Sequence, residues 1–173
     1  IEVSTSSNKI LDLGAVNDFD AEIHTPSQGD FFNFIKDAEF IGGHNIVNHD
    51  LKYLAHLDLG KKKIVDTLYL SPLMFPMRPS HKLLKDEKIL SGALNNPLLD
   101  AQKSRDLFYD EVNAFKALDD DLKTIYFSLL KDSAEFKGFF EFLGYIIPTK
   151  GILRIFQGNS ENKNTAKLIK KRF

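Results

Sequence analysis

Up to about Leu70, short apolar runs alternate with brief helical patterns; from Asn96 onward the pattern is helical throughout. This change of regime limits the chain to an α/β body followed by helices. Ile10, Leu11, Leu13, Ala15 and Val16 read as a strand, and a turn at Asn17-Asp18 leads into a second alternating stretch through Phe19, Ala21 and Ile23. That is the pattern of a hairpin. Ser27 caps a helix bearing Phe31, Phe32, Phe34 and Ile35, and Phe40-Ile41 reads as a short strand stopped by Gly42-Gly43. A helix with Leu51, Leu54 and Leu57 on one stripe is expected to end at Gly60, and Ile64-Val65 is a further strand.

Residues 71–97 carry four of the six prolines and read as a long irregular segment, with one helical turn near His81. Beyond it, Asn96 caps and Pro97 starts a helix through Leu98, Ala101, Phe108, Val112 and Phe115. Asp119-Asp120-Asp121 opens another helix, and a third, rich in Phe136, Phe139, Phe140 and Phe142, ends near Gly144. These aromatics are most simply core. The expected division is a body at residues 1–117, a helical extension packed on it at 118–158, and a tail or linker start at 159–173. Because the chain opens on Ile1 rather than Met, it is expected to start inside a longer polypeptide.

The 173 residues can bury a core without staples, and none is available: the absence of cysteine rules out disulfides, Cys-ligated zinc and Cys nucleophiles. No apolar run approaches the ~18 residues of a membrane span, so no membrane partner is expected and a cytoplasmic location is. Twenty-three Lys and Arg against 24 Asp and Glu give a net charge of −1, which excludes a strongly basic nucleic-acid binder as a global description. Local patches remain at Lys61, Lys62 and Lys63 and in the tail at Lys163, Lys167, Lys170, Lys171 and Arg172.

There is no phosphate-binding glycine loop, no paired-His zinc motif and no nucleophile elbow. Chemistry is left to acidic residues at element boundaries. Glu2 lies on the first candidate strand, Asp50 opens the helix after the His44-Asn45 turn, and Asp100 lies one turn into the helix begun by Pro97. Taken singly, Glu2 is an exposed strand end, and Asp50 and Asp100 are first-turn acids that complement a helix dipole.

Taken in order, four segments resemble the DEDD superfamily of 3′–5′ exonucleases, of the DnaQ-like kind. Ile1-Glu2-Val3-Ser4-Thr5, followed by Ile10-Leu11-Asp12-Leu13-Gly14-Ala15-Val16, resembles the family's opening, whose first Asp would fall just before Ile1. Gly43-His44-Asn45 leading to Asp50-Leu51 is similar to its second signature. Val65-Asp66-Thr67-Leu68 resembles its Asp-Thr strand end, and Asn95-Asn96-Pro97-Leu98-Leu99-Asp100-Ala101 its last.

The resemblance implies a ribonuclease-H-like mixed sheet flanked by helices, in which Glu2, Asp50, Asp100 and the missing Asp gather two Mg²⁺ or Mn²⁺ ions. Hard cations take such oxygen-only ligands. Two of them, ~4 Å apart, activate water and stabilise the departing 3′ oxygen. The implied substrate is the 3′ end of single-stranded DNA or RNA, removed one nucleotide at a time. Contacts are implied at Ser4, Thr5, His44, Asn45, His49 and His81. Lys61–Lys63, Arg78, Lys82 and Lys85 are candidates for the nucleic-acid backbone. Most of the relevant subfamily has a general-base His where this chain has Asn95, and an amide is no base at neutral pH. Three outcomes stay open: a hydroxide that needs little help, another His such as His49 or His81 reaching the site, or weak or lost activity. The rival expectation is an exonuclease-like module that binds nucleic acid or organises a larger protein, since such domains occur fused ahead of helicases.

Overall fold

A computed structural model describes residues 1–147 except Thr5, Asn8, Asp58, Lys61 and 84–95. The expected helical turn near His81 is absent from residues 81–83, and the expected tail at 159–173 lies outside the described residues. Strands β1 (Glu2–Val3), β2 (Ile10–Val16) and β3 (Glu22–Thr25) form an antiparallel sheet in that order. Helix α1 (Gln28–Ile35) follows, and β4 (Phe40–Gly43) pairs in parallel with β5 (Lys63–Asp66). Between these two strands lies α2 (Asp50–Leu54); after them come α3 (Thr67–Met74), α4 (Pro97–Ala117), α5 (Asp120–Leu130) and α6 (Ala134–Leu143). The class is mixed α/β, as the alternating pattern requires. Among the described residues the strands make two sheets where one mixed sheet is expected: β1 is only two residues long, and its register slips between Glu2 and Val3.

The capping reading holds in atomic detail. Ser27 Oγ accepts the Asp30 amide, Asn96 Oδ1 accepts those of Leu98 and Leu99, and Asp119 Oδ1 accepts that of Leu122. Gly144, at φ 56°, closes α6 in the left-handed conformation that a glycine adopts at no steric cost. Three expectations need correction. The helix after Asp50 stops at Leu54 instead of reaching Gly60. The Gly42-Gly43 pair does not end β4 but continues it, opposite Val65 and Asp66. Residues 67–74 are helical in spite of Pro72, because Thr67, Leu70, Ser71 and Met74 bury one face of α3 and Asp66 caps its start.

Two apolar clusters hold the elements. Leu13, Phe31, Ile35 and Leu54 pack on one face of the antiparallel sheet. Val65, Leu70, Met74, Val112, Phe115, Phe139 and Phe140 form the second, so α6 shares a core with β5 and α4. Phe115 meets Phe139 and Phe140 edge-on, with ring centroids at 5.6 and 5.8 Å, the arrangement favoured by the ring quadrupole. The C-terminal phenylalanines are thus core. Gly138 is required here: a Cβ on it would fall 2.1 Å from the carbonyl oxygen of Ile64. Helix α4 contributes Val112 and Phe115 to the second cluster and also grips the β2–β3 hairpin tip, where Arg105 Nη1 bonds Asp20 at 2.7 Å and Tyr109 OH bonds Asp18 at 2.7 Å.

Candidate functional site

Strand β1 and helix α2 meet at the start of the chain. The terminal ammonium of Ile1 donates to Asp50 Oδ1 at 2.9 Å, which joins positions 49 residues apart in a partly buried contact. One residue on, Glu2 stands opposite Asp12 of β2. Alternate residues of a strand share a face, so Asp12 and Gly14 lie together, away from the buried Leu13. Gly14 is where α4 lands: a Cβ there would lie 2.3 Å from Leu98 N and 2.5 Å from Leu98 Cα. The first turn of α4, with Asp100, therefore stands over the sheet face that carries Asp12 and its partner Glu2.

The donor chemistry of Glu2, Asp50 and Asp100 suits a hard cation. The spacing does not complete the expected cage: among the described residues no three Asp, Glu or His side chains are grouped so as to hold a metal ion. One oxygen of Asp50 is occupied by Ile1, and His49 Nδ1 is 3.6 Å from the other. Among the described residues the Asp100 carboxylate finds no hydrogen-bond or salt-bridge partner.

Beside these acids lies a buried polar cluster built on the end of β5. Asp66 is 1% exposed and accepts the backbone amides of Asn45 (2.8 Å), Val47 (3.0 Å) and Leu68 (2.9 Å). Its carboxylate thus fixes the turn before α2, in which Asn45 has φ 64°, and caps α3 as well. His44 Nδ1 and Thr67 Oγ1 are 2.9 Å apart. Burial holds the His44 imidazole below its ordinary range, against the opposing pull of the Asp66 and Asp100 charges and a hydrogen-bonding contribution from the His81 backbone. His81 Nδ1 in turn lies 2.9 Å from Ser71 Oγ. His44, His81 and Asp100 are thereby drawn to one region.

The remaining expected contacts divide. Asn45 Oδ1 accepts from Asn48, which also donates to Tyr69 OH. His49 sits at the N-cap of α2 without a capping bond, its ring edge-on to Tyr53. Ser4 serves the β1–β2 turn through Ser6 and the Ser7 amide. Lys62 is tied to the carbonyls of Lys36 and Ala38, and Lys63 pairs with Glu39 and Glu141, so neither is free for phosphate. Arg78 and Lys82 are exposed. Thr5, Lys61, Lys85 and Asn95 lie outside the described residues.

Two features escaped the sequence reading. His24 Nε2 bonds Asp12 Oδ2 at 2.5 Å on the face shared with Gly14, a cross-strand pair that only the register reveals. Glu111 is fully buried with both carboxylate oxygens unpartnered, and desolvation pushes its pKa up to about 9. Its place on the apolar stripe with Phe108, Val112 and Phe115 is the signal that marked it. Comparison with protein-family models, curated proteins and solved structures gave no match.

Proposed function

We propose that the chain is a 3′–5′ exonuclease domain of the DEDD type on a ribonuclease-H-like fold, acting on the 3′ end of single-stranded DNA or RNA. The observation that carries this reading is the landing of α4 on Gly14, which brings the turn that holds Asp100 to the sheet face of Glu2. The proximity of Ile1, next to Glu2, and Asp50 is in keeping with it. In this reading Glu2, Asp50 and Asp100 hold Mg²⁺ or Mn²⁺. Such ions supply the positive charge and Lewis acidity that phosphodiester hydrolysis needs. The protein's own part is to place the acids at the ends of three rigid elements. The Asp66 cluster fixes the turn that leads into Asp50.

A second reading is a binding module, alone or beside a helicase domain on the same polypeptide, without hydrolysis. Asn95 favours it, since an amide cannot accept the proton from an attacking water. Digestion of a 5′-labelled oligonucleotide in Mn²⁺ separates the two. The exonuclease reading expects stepwise shortening from the 3′ end, lowered by at least about 10²-fold in Asp50→Ala and Asp100→Ala. Tight oligonucleotide binding with no shortening would leave only the module.

A further inference from the structure

The segment leaving α3 is fastened at both ends and presents a cation outward. At its start the Phe75 amide donates to Ser71 O at 2.8 Å and the Arg78 amide to Phe75 O at 3.0 Å. At its end the His81 ring is bonded to Ser71. Pro76 and Pro79 fix φ on either side of Met77 and Arg78, so little backbone freedom remains to be lost on binding. Met77 is 93% exposed. The Arg78 guanidinium lies over the Phe75 ring, 3.9 Å from its centroid. It makes no ion pair among the described residues, and Lys82 stands exposed beyond it.

We infer that residues 75–82 form a second contact for single-stranded nucleic acid, with Arg78 holding a backbone phosphate and Met77 offering an apolar surface to a base. This rests on the exonuclease reading and adds where the strand runs. Arg78 acts on Glu111, which lies eleven residues along α4 from Asp100, roughly 16 Å at the helical rise. A phosphate there belongs to a nucleotide a few steps upstream of the terminal one. The buried Glu111 carboxyl is uncharged at neutral pH, so it leaves the Arg78 charge available to a phosphate.

The test is fluorescence anisotropy of a labelled oligothymidylate of about ten nucleotides, titrated over a range of salt concentrations without divalent metal. One phosphate contact to a single strand contributes about 0.7 to the slope of log K against log salt. Arg78→Met is expected to lower the slope by about 0.7 and weaken binding about fivefold at roughly 0.1 M salt, whereas Arg78→Lys keeps the slope. Unchanged affinity and slope in Arg78→Met overturn the inference while leaving the exonuclease reading intact. Unchanged binding with a lower melting temperature would assign Arg78 to pairing with Glu111, which also overturns it. Failure of the unaltered protein to bind the oligonucleotide overturns both.

Discussion

Replacing Glu111 by Gln should stabilise the protein at neutral pH, by an amount that depends on pH in a defined way. The carboxyl is fully buried and unpartnered; Arg78 favours its ionisation, and Asp66 and Asp110 oppose it. Its pKa rises from 4.5 to about 9, so the folded state holds a proton that the unfolded state has released. Stability therefore falls as pH rises between these two values, by up to about 1.4 kcal/mol per unit. At pH 7 the unfolded pKa lies about two and a half units below, which makes the cost about 3 kcal/mol. Below about pH 4.5 the cost vanishes; above about pH 9 it levels off near 6 kcal/mol. Glu111→Gln keeps the shape and cannot ionise. Urea unfolding followed by far-ultraviolet circular dichroism suits a chain without tryptophan. The variant should match the original near pH 4 and exceed it by about 3 kcal/mol at pH 7. A difference independent of pH from 5 to 8 would refute the reasoning, and a variant less stable at pH 7 would mean that Glu111 is ionised and paired.

Asp66→Asn removes the charge that binds three backbone amides and should cost about 2–4 kcal/mol, read as a lower urea midpoint. Asp100→Asn loses only a first-turn dipole interaction and should cost under about 1 kcal/mol, while on the exonuclease reading oligonucleotide shortening is lost. Gly138→Ala, aimed at the Ile64 carbonyl, and Gly14→Ala, aimed at the Pro97–Leu98 backbone, should each cost about 3 kcal/mol or more by thermal unfolding. Gly29→Ala, whose nearest neighbour is 4.0 Å away, should be neutral or stabilising in the same assay.

What was legible in the sequence was whatever local chemistry decides. The caps at Ser27, Asn96 and Asp119, the C-terminal glycine of α6 and the β2–β3 hairpin all follow from residues within a turn of one another. What was not legible depended on distant neighbours. Helix α3 forms through Pro72 because its buried face lies in the core with Val112 and Phe115, which no window around Pro72 contains. The helix after Asp50 stops early even though Leu57 continues the stripe, and Leu57 packs on the cluster of Leu13, Phe31, Ile35 and Leu54 from outside the helix. The split of the sheet turns on the short, slipped β1. At the site, the motif order placed Asp50 and Asp100 on helix starts. The use of Lys62 and Lys63 as structural ties came only from the chain fold around them.

Asp66 and Asp100 each stand at the start of a helix, and the fold gives them opposite tasks. Three backbone amides converge on Asp66, so its charge is consumed in holding the turn at Asn45 and the start of α3. A cation could reach those oxygens only by breaking bonds that shape the fold. The amides at the start of α4 are instead satisfied by Asn96, and the Asp100 carboxylate one turn further on is unengaged among the described residues. That division explains why a helix already capped carries a second polar side chain that contributes little to its stability. Asp100 stands over the sheet face of Glu2 and near enough to His44 for its charge to act on that imidazole. In the proposed reading, an acid relieved of structural work by Asn96 is one that can serve a cation.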